Sequence, residues 1–267
     1  MNNVKTVFLY GSDTEHTAQV MPRLIKCLNA ADISVSETLD ESVDLIIVVG
    51  GDGTFLRMLR DHSFPKIPIA GLNTGHLGFF MEYMPSELEC FVLDIKSGNY
   101  SLHDLCPVET IISADGRVDR IKAINDVVVK KNASGIVHLN LAIGANHIER
   151  FSGDGLLIST PAGSTSYNYS VYGGIVDPRV RVLQVTPIAP MNTSAYRSFT
   201  TGVILPPDLS VMIEPEVKGT PGLVIVDGAE YWYDHLQSVE TAYLKETVRL
   251  VRKPDYEYWT WVAQKFI

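Results

Sequence analysis

The sequence predicts an α/β domain with a parallel sheet, followed by a β-rich, sandwich-like domain. Short apolar runs alternate with helical patterns up to about residue 98, which favours a parallel sheet with its turns at one edge. After Tyr100 many strand-like runs follow one another with little helix between them, which is typical of antiparallel sheets. We therefore predict domains at residues 1–98 and 99–250, and a C-terminal segment at 251–267.

The first domain is predicted to alternate strands and helices. Apolar runs predict strands at 4–10, 33–36, 45–49 and 67–72. Apolar residues at helical spacing predict helices at 14–31 and 54–62, and Pro22 means that the first of these either kinks there or begins near it. A further helix is predicted between Pro85 as its start and Gly98 as its stop.

The second domain is predicted from strand patterns and turn residues. Turns are expected at Asp115-Gly116 and at 132–135, and a short polar helix at 165–172. The closing segment 256–266 carries Trp259, Val262 and Phe266 at helical spacing. We predict strands at 108–114, 121–130, 136–143, 156–159, 182–185, 203–205, 211–213 and 223–226.

Charge and composition exclude several classes of function. The chain has 267 residues, with 31 acidic and 22 basic side chains and a formal net charge of −9, which argues against nucleic acid or an anionic membrane as a partner. Three widely spaced cysteines indicate reduced thiols, and the histidines lack ligand spacing, so no metal site built by the protein is expected. Without a membrane-spanning run or a signal peptide pattern, a cytoplasmic location is expected.

The segment Gly50-Gly51-Asp52-Gly53-Thr54 ends a buried apolar strand and precedes a helical pattern. Its glycines leave backbone amides open to a phosphate, and the helix start favours an anion. Asp52 would repel that anion, but it suits a proton acceptor for a hydroxyl beside the phosphate. An ordinary turn with Asp52 or Thr54 as a helix cap is the alternative interpretation.

Three further segments carry polar groups that a core strand does not need. Asn125-Asp126 interrupts an apolar strand pattern, where a bulge or strand end is the simpler interpretation. Residues 153–168 form a long glycine–hydroxyl run, in which the start of the short helix is suited to binding an anion or to capping, and Tyr167 is suited to stacking on a base. Asp227-Gly228 follows a strand and is best interpreted as a hairpin turn.

Together these segments resemble the motif series of the NAD kinases. The resemblance rests on GGDGT at 50–54, NTGHLGF at 73–79, Asn125-Asp126, and GDGLLISTPAGSTSYN at 153–168, and it covers about residues 45–200. It implies transfer of a phosphate from ATP, or from polyphosphate, to the adenosine 2′-hydroxyl of NAD. It also implies a C-terminal segment that returns to the first domain, and a homodimer or homotetramer.

The resemblance also implies roles for single residues. Asp52 matches the proton acceptor, and Gly50, Gly51, Gly53 and Thr54 match the phosphate loop. Mg²⁺ or another divalent cation accompanies ATP, and no bound redox cofactor is expected. The residues expected at the dinucleotide are Gly53, Phe79, Asn125, Asp126, Asp154, Ala162, Thr165, Ser166, Tyr167, Ser170, Ala189 and Gly228.

The chain departs from the family pattern at two positions. Asp126 stands where the family usually has Glu, and Ser152 stands where relatives often have a basic residue. Arg150, two positions earlier, is a candidate phosphate contact, although residues two apart on a strand share a face and not a position. Two other functions stay open: a lipid kinase of related fold, and a nucleotide-binding regulator with weakened catalysis.

Overall fold

The computed structural model describes residues 4–75, 78–131, 135–194 and 197–267. The chain divides into two compact units, residues 1–105 with 247–267 and residues 106–246. The sequence predicts boundaries after residues 98 and 250, whereas the chain passes from one unit to the other after residues 105 and 246. The difference arises because the chain on both sides of the second unit forms strands of the first unit's sheet.

The first unit begins with alternating strands and helices. A 3₁₀ turn at Pro85–Glu87 precedes the third helix, and Gly98 ends that helix in the left-handed conformation with φ of 72°. The elements are β1 (Thr6–Gly11), α1 (Glu15–Ala30), β2 (Ser34–Ser36), β3 (Leu45–Gly50), α2 (Asp52–Asp61), β4 (Ile69–Asn73), α3 (Leu88–Ser97) and β5 (Ser101–Leu105).

Burial explains why these segments form the predicted elements. Every residue of β3 is buried, as expected for a parallel strand that is covered on both faces. In α1, Val20, Leu24 and Leu28 form the buried face, and Thr14 caps the helix by accepting the Thr17 amide at 3.3 Å. The helix therefore begins before Pro22, and the alternative start near Pro22 is wrong.

The described part of the second unit is built from antiparallel strands and one short helix. A 3₁₀ turn at Ala162–Thr165 leads into that helix. The elements are β6 (Val108–Ala114), β7 (Arg117–Ala123), β8 (Asp126–Lys131), β9 (Val137–Ile143), β10 (Asn146–Gly153), β11 (Gly155–Ser159), α4 (Tyr167–Ser170), β12 (Leu183–Ile188), β13 (Val203–Leu205), β14 (Val211–Pro215), β15 (Thr220–Val226) and β16 (Ala229–Tyr243).

Alternate residues of the central strands belong to two different hydrophobic clusters. Val127 and Val129 of β8 belong to the large core of the unit, whereas Val128 packs with Leu157 and Ile188 in a smaller cluster. This alternation follows from the two-residue period of a strand. Tyr167 and Val171 pack against the smaller cluster, so the short helix lies on that side of the sheet.

Two predictions for this unit need correction or fall outside the structure. The predicted strand 121–130 is two strands, because the chain bends at Ile124 and Asn125 between β7 and β8. In the predicted turn at 132–135, residues 132–134 lie outside the described residues. The predicted antiparallel, β-rich architecture is confirmed, and the strands that the structure describes in this unit are hydrogen-bonded in one 11-stranded sheet.

The end of the chain returns to the first unit, as predicted. Strand β17 (Val248–Arg252) pairs parallel with β4 and antiparallel with β5, and helix α5 (Tyr258–Phe266) follows it. The sheet of the first unit has the order β2-β1-β3-β4-β17-β5. Within the described residues, no helix is both long and apolar enough to cross a membrane.

Candidate active site

The glycine loop lies at the carboxyl end of β3, where α2 begins. A Cβ atom at Gly50 would overlap the side chain of Thr54, whose Oγ1 accepts the Gly51 amide at 3.4 Å. Gly50 pairs with Asn73 across β3 and β4, and the Thr74 amide donates to the Gly50 carbonyl at 3.0 Å. The first two sequence motifs are therefore side by side at one edge of the parallel sheet.

Asp52 reaches across this edge to the second motif. Its Oδ2 accepts the Phe79 amide at 2.8 Å, and its Oδ1 accepts the Phe80 amide at 3.0 Å. A Cβ atom at Gly78 would overlap this carboxylate, so glycine is required there. Asp52 is the first residue of α2 and does not cap it, so the capping interpretation of Asp52 is wrong. Each carboxylate oxygen keeps a lone pair for a further donor.

Phe79 is covered by helix α5 of the same unit. Its ring centroid lies 6.2 Å from Tyr258 and 6.0 Å from Phe266, and the Lys265 ammonium lies 4.7 Å from that centroid. Phe79 is 6% exposed. A contact between Phe79 and adenine stays a prediction, and His76 and Leu77 of the same motif lie outside the described residues.

A cavity of about 280 Å³ opens where β1 ends and α2 begins. Arg57 donates to the Gly11 carbonyl at 3.1 Å and to the Asp13 carboxylate at 3.3 Å. Gly53 and Thr54 were predicted in the phosphate loop, but Arg57 and Asp13 were not, because one Arg in a helical pattern and one Asp in a polar turn are common on protein surfaces. The cavity is lined by Ser12, Asp13, Thr14, Gly53, Thr54 and Arg57.

In the second unit, Asp227 organises the bend between β7 and β8. Its carboxylate accepts the amides of Ile124 and Asn125 at 2.7 Å each, and the amide of Asp126 at 3.1 Å. Asp227 and Gly228 both have positive φ, and Val226 pairs with Ala229, so the predicted hairpin turn is present. The sequence pattern indicated the turn but not the three amide contacts.

Asn125 and Asp126 are buried and incompletely satisfied. They are 7% and 4% exposed, and Asn125 Oδ1 and Asp126 Oδ2 have no hydrogen-bond partner in the structure. Burial, with the charge of Asp227 beside it, raises the pKa of the Asp126 carboxyl to about 7, against the opposing effect of the Ser166 hydroxyl and the Tyr167 amide. Unpartnered buried oxygens are costly, so a ligand that donates hydrogen bonds to both would be favoured.

The glycine–hydroxyl run packs directly onto this bend. Thr160 donates its amide to the Asn125 carbonyl at 2.9 Å and its hydroxyl to the Ile124 carbonyl at 2.5 Å. A Cβ atom at Gly163 would overlap the Asn125 backbone. The structure therefore brings together Asn125, Asp126, Ser166, Tyr167 and the Asp227-Gly228 turn, which the sequence separates by about a hundred residues.

The remaining predicted dinucleotide residues lie close to this bend or at the start of β11. Thr165 Oγ1 donates to the Ala162 carbonyl at 3.5 Å, and Ser170 is the exposed last residue of α4. Asp154 is exposed, and its amide donates to the Ile188 carbonyl at 2.9 Å, which brings it beside Ala189. Their contacts with a dinucleotide stay predictions.

Arg150 and Ser152 lie on β10 and have separate partners. Arg150 pairs with Glu216 at 2.6 Å, whereas Ser152 is fully buried with its hydroxyl 2.8 Å from His138 Nδ1. A phosphate that contacts Arg150, as predicted, must therefore displace Glu216 or share Arg150 with it. Among the described residues, no cluster of three or more His, Cys, Asp or Glu side chains is arranged to hold a metal.

Comparisons with known protein families agree with this geometry. Residues 6–100 match the ATP-NAD kinase N-terminal domain, and residues 124–247 match the ATP-NAD kinase C-terminal domain. The chain is 33% identical over 272 residues to an NAD kinase of Finegoldia magna, covering 100% of this chain and 99% of that protein. It is 33% identical over 231 residues to NAD kinase 1 of Oceanobacillus iheyensis, covering 85% and 86%.

Solved structures share the fold. A yeast NADH kinase complexed with NADH superposes with a TM-score of 0.86 at 20% identity, covering 99% of this chain and 88% of that one. An NAD kinase from Archaeoglobus fulgidus in complex with ATP gives a TM-score of 0.75 at 21% identity, covering 94% of each chain. At these identities the likeness establishes the fold alone.

The α/β unit with its glycine loop and the antiparallel unit with its buried polar bend define a nucleotide-dependent kinase fold. The two family models together cover most of the chain, and a relative matches it over its full length. The chain belongs to the NAD kinase family. These matches do not favour the lipid kinase alternative.

Proposed function

We propose that the chain transfers the γ-phosphate of ATP to the adenosine 2′-hydroxyl of NAD, giving NADP and ADP. The observation that carries this proposal is the Asp52 carboxylate, fixed at the start of α2 by the amides of Phe79 and Phe80, in a member of the NAD kinase family. A carboxylate held in this way beside a glycine loop suits proton transfer to a positioned base during phosphoryl transfer.

The proposed reaction is a direct in-line transfer. The bond from the 2′-oxygen to the γ-phosphorus forms, the bond from that phosphorus to the β,γ-bridging oxygen breaks, and ADP leaves. Asp52 accepts the hydroxyl proton through a lone pair that the two amides leave available. Alignment of the reacting groups contributes more to the rate than covalent catalysis, because phosphoryl transfer relies on positioning and charge stabilisation.

We assign the donor phosphates to the cavity lined by Ser12, Thr14, Gly53 and Arg57. The sheet order β2-β1-β3-β4 reverses its direction of winding between β1 and β3, and ligands of open α/β sheets bind outside the carboxyl ends at such a point. The start of α2 and the Arg57 guanidinium both favour an anion there, and a phosphate would replace the exposed Asp13 carboxylate as the partner of Arg57. Mg²⁺ enters with ATP as part of the substrate, because this ion is usually held mainly by substrate phosphates and water.

We assign the acceptor to the polar bend of the second unit. Ribose hydroxyls or an amide of the dinucleotide can donate to Asn125 Oδ1 and Asp126 Oδ2, which satisfies two buried oxygens. Tyr167, which packs on Val128, Leu157 and Ile188, offers one ring face to the base. Asp126 is shorter by one methylene than the Glu usual in the family, so its contact is expected to use a closer hydroxyl.

A coupled assay with the purified protein tests the proposal. NAD and Mg-ATP are supplied, and NADP is detected with an NADP-specific dehydrogenase, with polyphosphate and NADH in parallel arms. We expect ATP-dependent formation of NADP. Phosphorylation of diacylglycerol or sphingosine without NADP formation would favour a lipid kinase, and NAD binding without any transfer would favour a regulator.

Assembly and location are inferred from the family resemblance. We propose a homodimer or homotetramer in the cytoplasm. Light scattering after size-exclusion chromatography measures the assembly, and cell fractionation measures the location. A monomer at micromolar concentration, or recovery of the protein with the membrane fraction, would contradict these proposals.

A further inference from the structure

The end of the chain contacts the same peptide groups that hold Asp52. Trp261 Nε1 donates to the Gly78 carbonyl at 2.5 Å, and Arg252 Nη1 donates to the Phe79 carbonyl at 2.7 Å. The Gly78 carbonyl belongs to the same peptide group as the Phe79 amide that Asp52 accepts. The Phe79 carbonyl and the Phe80 amide are related in the same way.

Two parallel relays therefore run through single peptide groups. One leads from Trp261 through the 78–79 peptide to Asp52 Oδ2, and the other from Arg252 through the 79–80 peptide to Asp52 Oδ1. A trans peptide is planar, with its carbonyl and amide pointing in opposite directions. A donor fixed at the carbonyl therefore fixes the direction of the amide, and hydrogen bonds in such a chain strengthen one another.

The donors of both relays are themselves held in place. Arg252 is 3% exposed, forms an ion pair with the buried Glu82, and lies over the Tyr256 ring with 4.2 Å to its centroid. Glu82 also accepts the Lys253 amide at 2.8 Å. Trp261 lies on α5, the helix that covers Phe79. The segment 78–80 is thus fixed between Asp52 and the end of the chain.

We propose that Trp261 and Arg252 are positioning residues for Asp52, which orient its carboxylate toward the acceptor hydroxyl through these two peptide groups. The proposal rests on the proposed function of Asp52 as proton acceptor. It assigns Trp261 and Arg252 a part in the rate of transfer, expressed in kcat and not in KM.

Trp261 gives the cleaner test, because removal of Arg252 would leave Glu82 buried without its ion-pair partner. Trp261→Phe keeps an aromatic ring in the helix and removes the N–H donor together with the pyrrole part of the indole, a loss of volume that the Trp259→Phe control shares. We expect kcat to fall about 3- to 10-fold, the scale of one lost hydrogen bond, while KM for NAD and for ATP changes less than about twofold. Trp259→Phe on the same helix, where Trp259 is 51% exposed, is the matched control and should leave kcat unchanged.

A double-mutant cycle with Asp52→Ala separates this role from a general structural one. If Trp261 acts through Asp52, Trp261→Phe should cause no further loss of kcat in the Asp52→Ala background. An equal loss in both backgrounds would overturn the proposal, and so would a loss expressed mainly in KM.

Hydrogen exchange gives a readout that does not depend on turnover. In Trp261→Phe, peptides covering residues 78–83 should exchange faster than in the parent protein, whereas Trp259→Phe should leave them unchanged. Unchanged exchange in Trp261→Phe would refute the relay. Absence of NADP formation by the parent protein would refute the proposed function, while the exchange result would still decide whether the relay exists.

Discussion

Replacing Asp52 by Asn tests the proposed chemistry most directly. The parent carboxylate accepts two backbone amides, at 2.8 and 3.0 Å. Asn keeps one acceptor oxygen but turns an NH₂ group toward the other amide, so one charge-assisted hydrogen bond is lost. This loss should lower the free energy of unfolding by about 1.5–3 kcal/mol. For a chain of this size that corresponds to a decrease in Tm of roughly 3–10 °C.

The effect on turnover should be much larger than this loss of stability explains. An amide is too weak a base to accept the hydroxyl proton, so NADP formation should fall about 10²–10⁴-fold while the variant stays folded and binds NAD at 25 °C. Thermal melts, calorimetry with NAD and the coupled assay measure the three quantities separately.

Asp44→Asn is a matched control. Asp44 also accepts two backbone amides, those of Lys5 at 2.8 Å and Thr6 at 3.0 Å, but lies away from the glycine loop. Both of these amides donate to the same oxygen, Oδ2, so the side-chain oxygen of Asn can keep both bonds, and this variant should lose less stability than Asp52→Asn and keep normal turnover. A stable and fully active Asp52→Asn protein would refute the proton-acceptor role, and a parallel loss of NAD binding would indicate substrate positioning instead.

Four further predictions concern the acceptor bend and the Asp52 contact. Tyr167→Ala should weaken NAD binding by about 1–3 kcal/mol, the range of base–aromatic stacking, without unfolding the protein. If calorimetry shows an unchanged affinity for NAD, the Tyr167 ring is a core residue and does not contact the base. Asp126→Asn should lose turnover whereas Asp126→Glu should keep it, and equal activity in all three forms would place Asp126 outside the working site. Burial, together with the charge of Asp227, raises the folded-state pKa of Asp126 to about 7, above its unfolded value, so the parent protein loses stability as the pH rises from about 4 through 7. Asp126→Asn should therefore gain in Tm relative to the parent at pH 8 and not at pH 4, and a pH-independent difference would contradict this. Gly78→Ala places a methyl group against the Asp52 carboxylate and should lower kcat by about tenfold or more, which steady-state kinetics would measure.

Local patterns in the sequence were sufficient for much of the fold. The continuous apolar run of β3, the helical spacing in α1 and the positive-φ turn at Asp227-Gly228 depend on interactions within a few residues. Other elements were missed for an equally local reason. Strands β10 and β16 alternate many polar and exposed residues, so their sequences lack the apolar runs that identify a buried strand.

The composition of the candidate site was likewise predictable, because GGDGT, Asn125-Asp126 and the glycine–hydroxyl run are each contiguous. Their contacts were not predictable, since these depend on how distant segments meet. Asp227 contacts Asn125 from 102 residues away, and Trp261 contacts Gly78 from 183 residues away.

The sequence alone therefore determined the family, much of the order of strands and helices, and the residue types available for phosphoryl transfer. Only the tertiary structure decided that Asp52 binds the 78–80 segment and does not cap its own helix, and that β17 and α5 hold that segment from the other side. The physical reason is that a backbone amide or carbonyl has no signature in the sequence. Its partner is chosen only when the folded chain brings a donor and an acceptor within hydrogen-bonding distance.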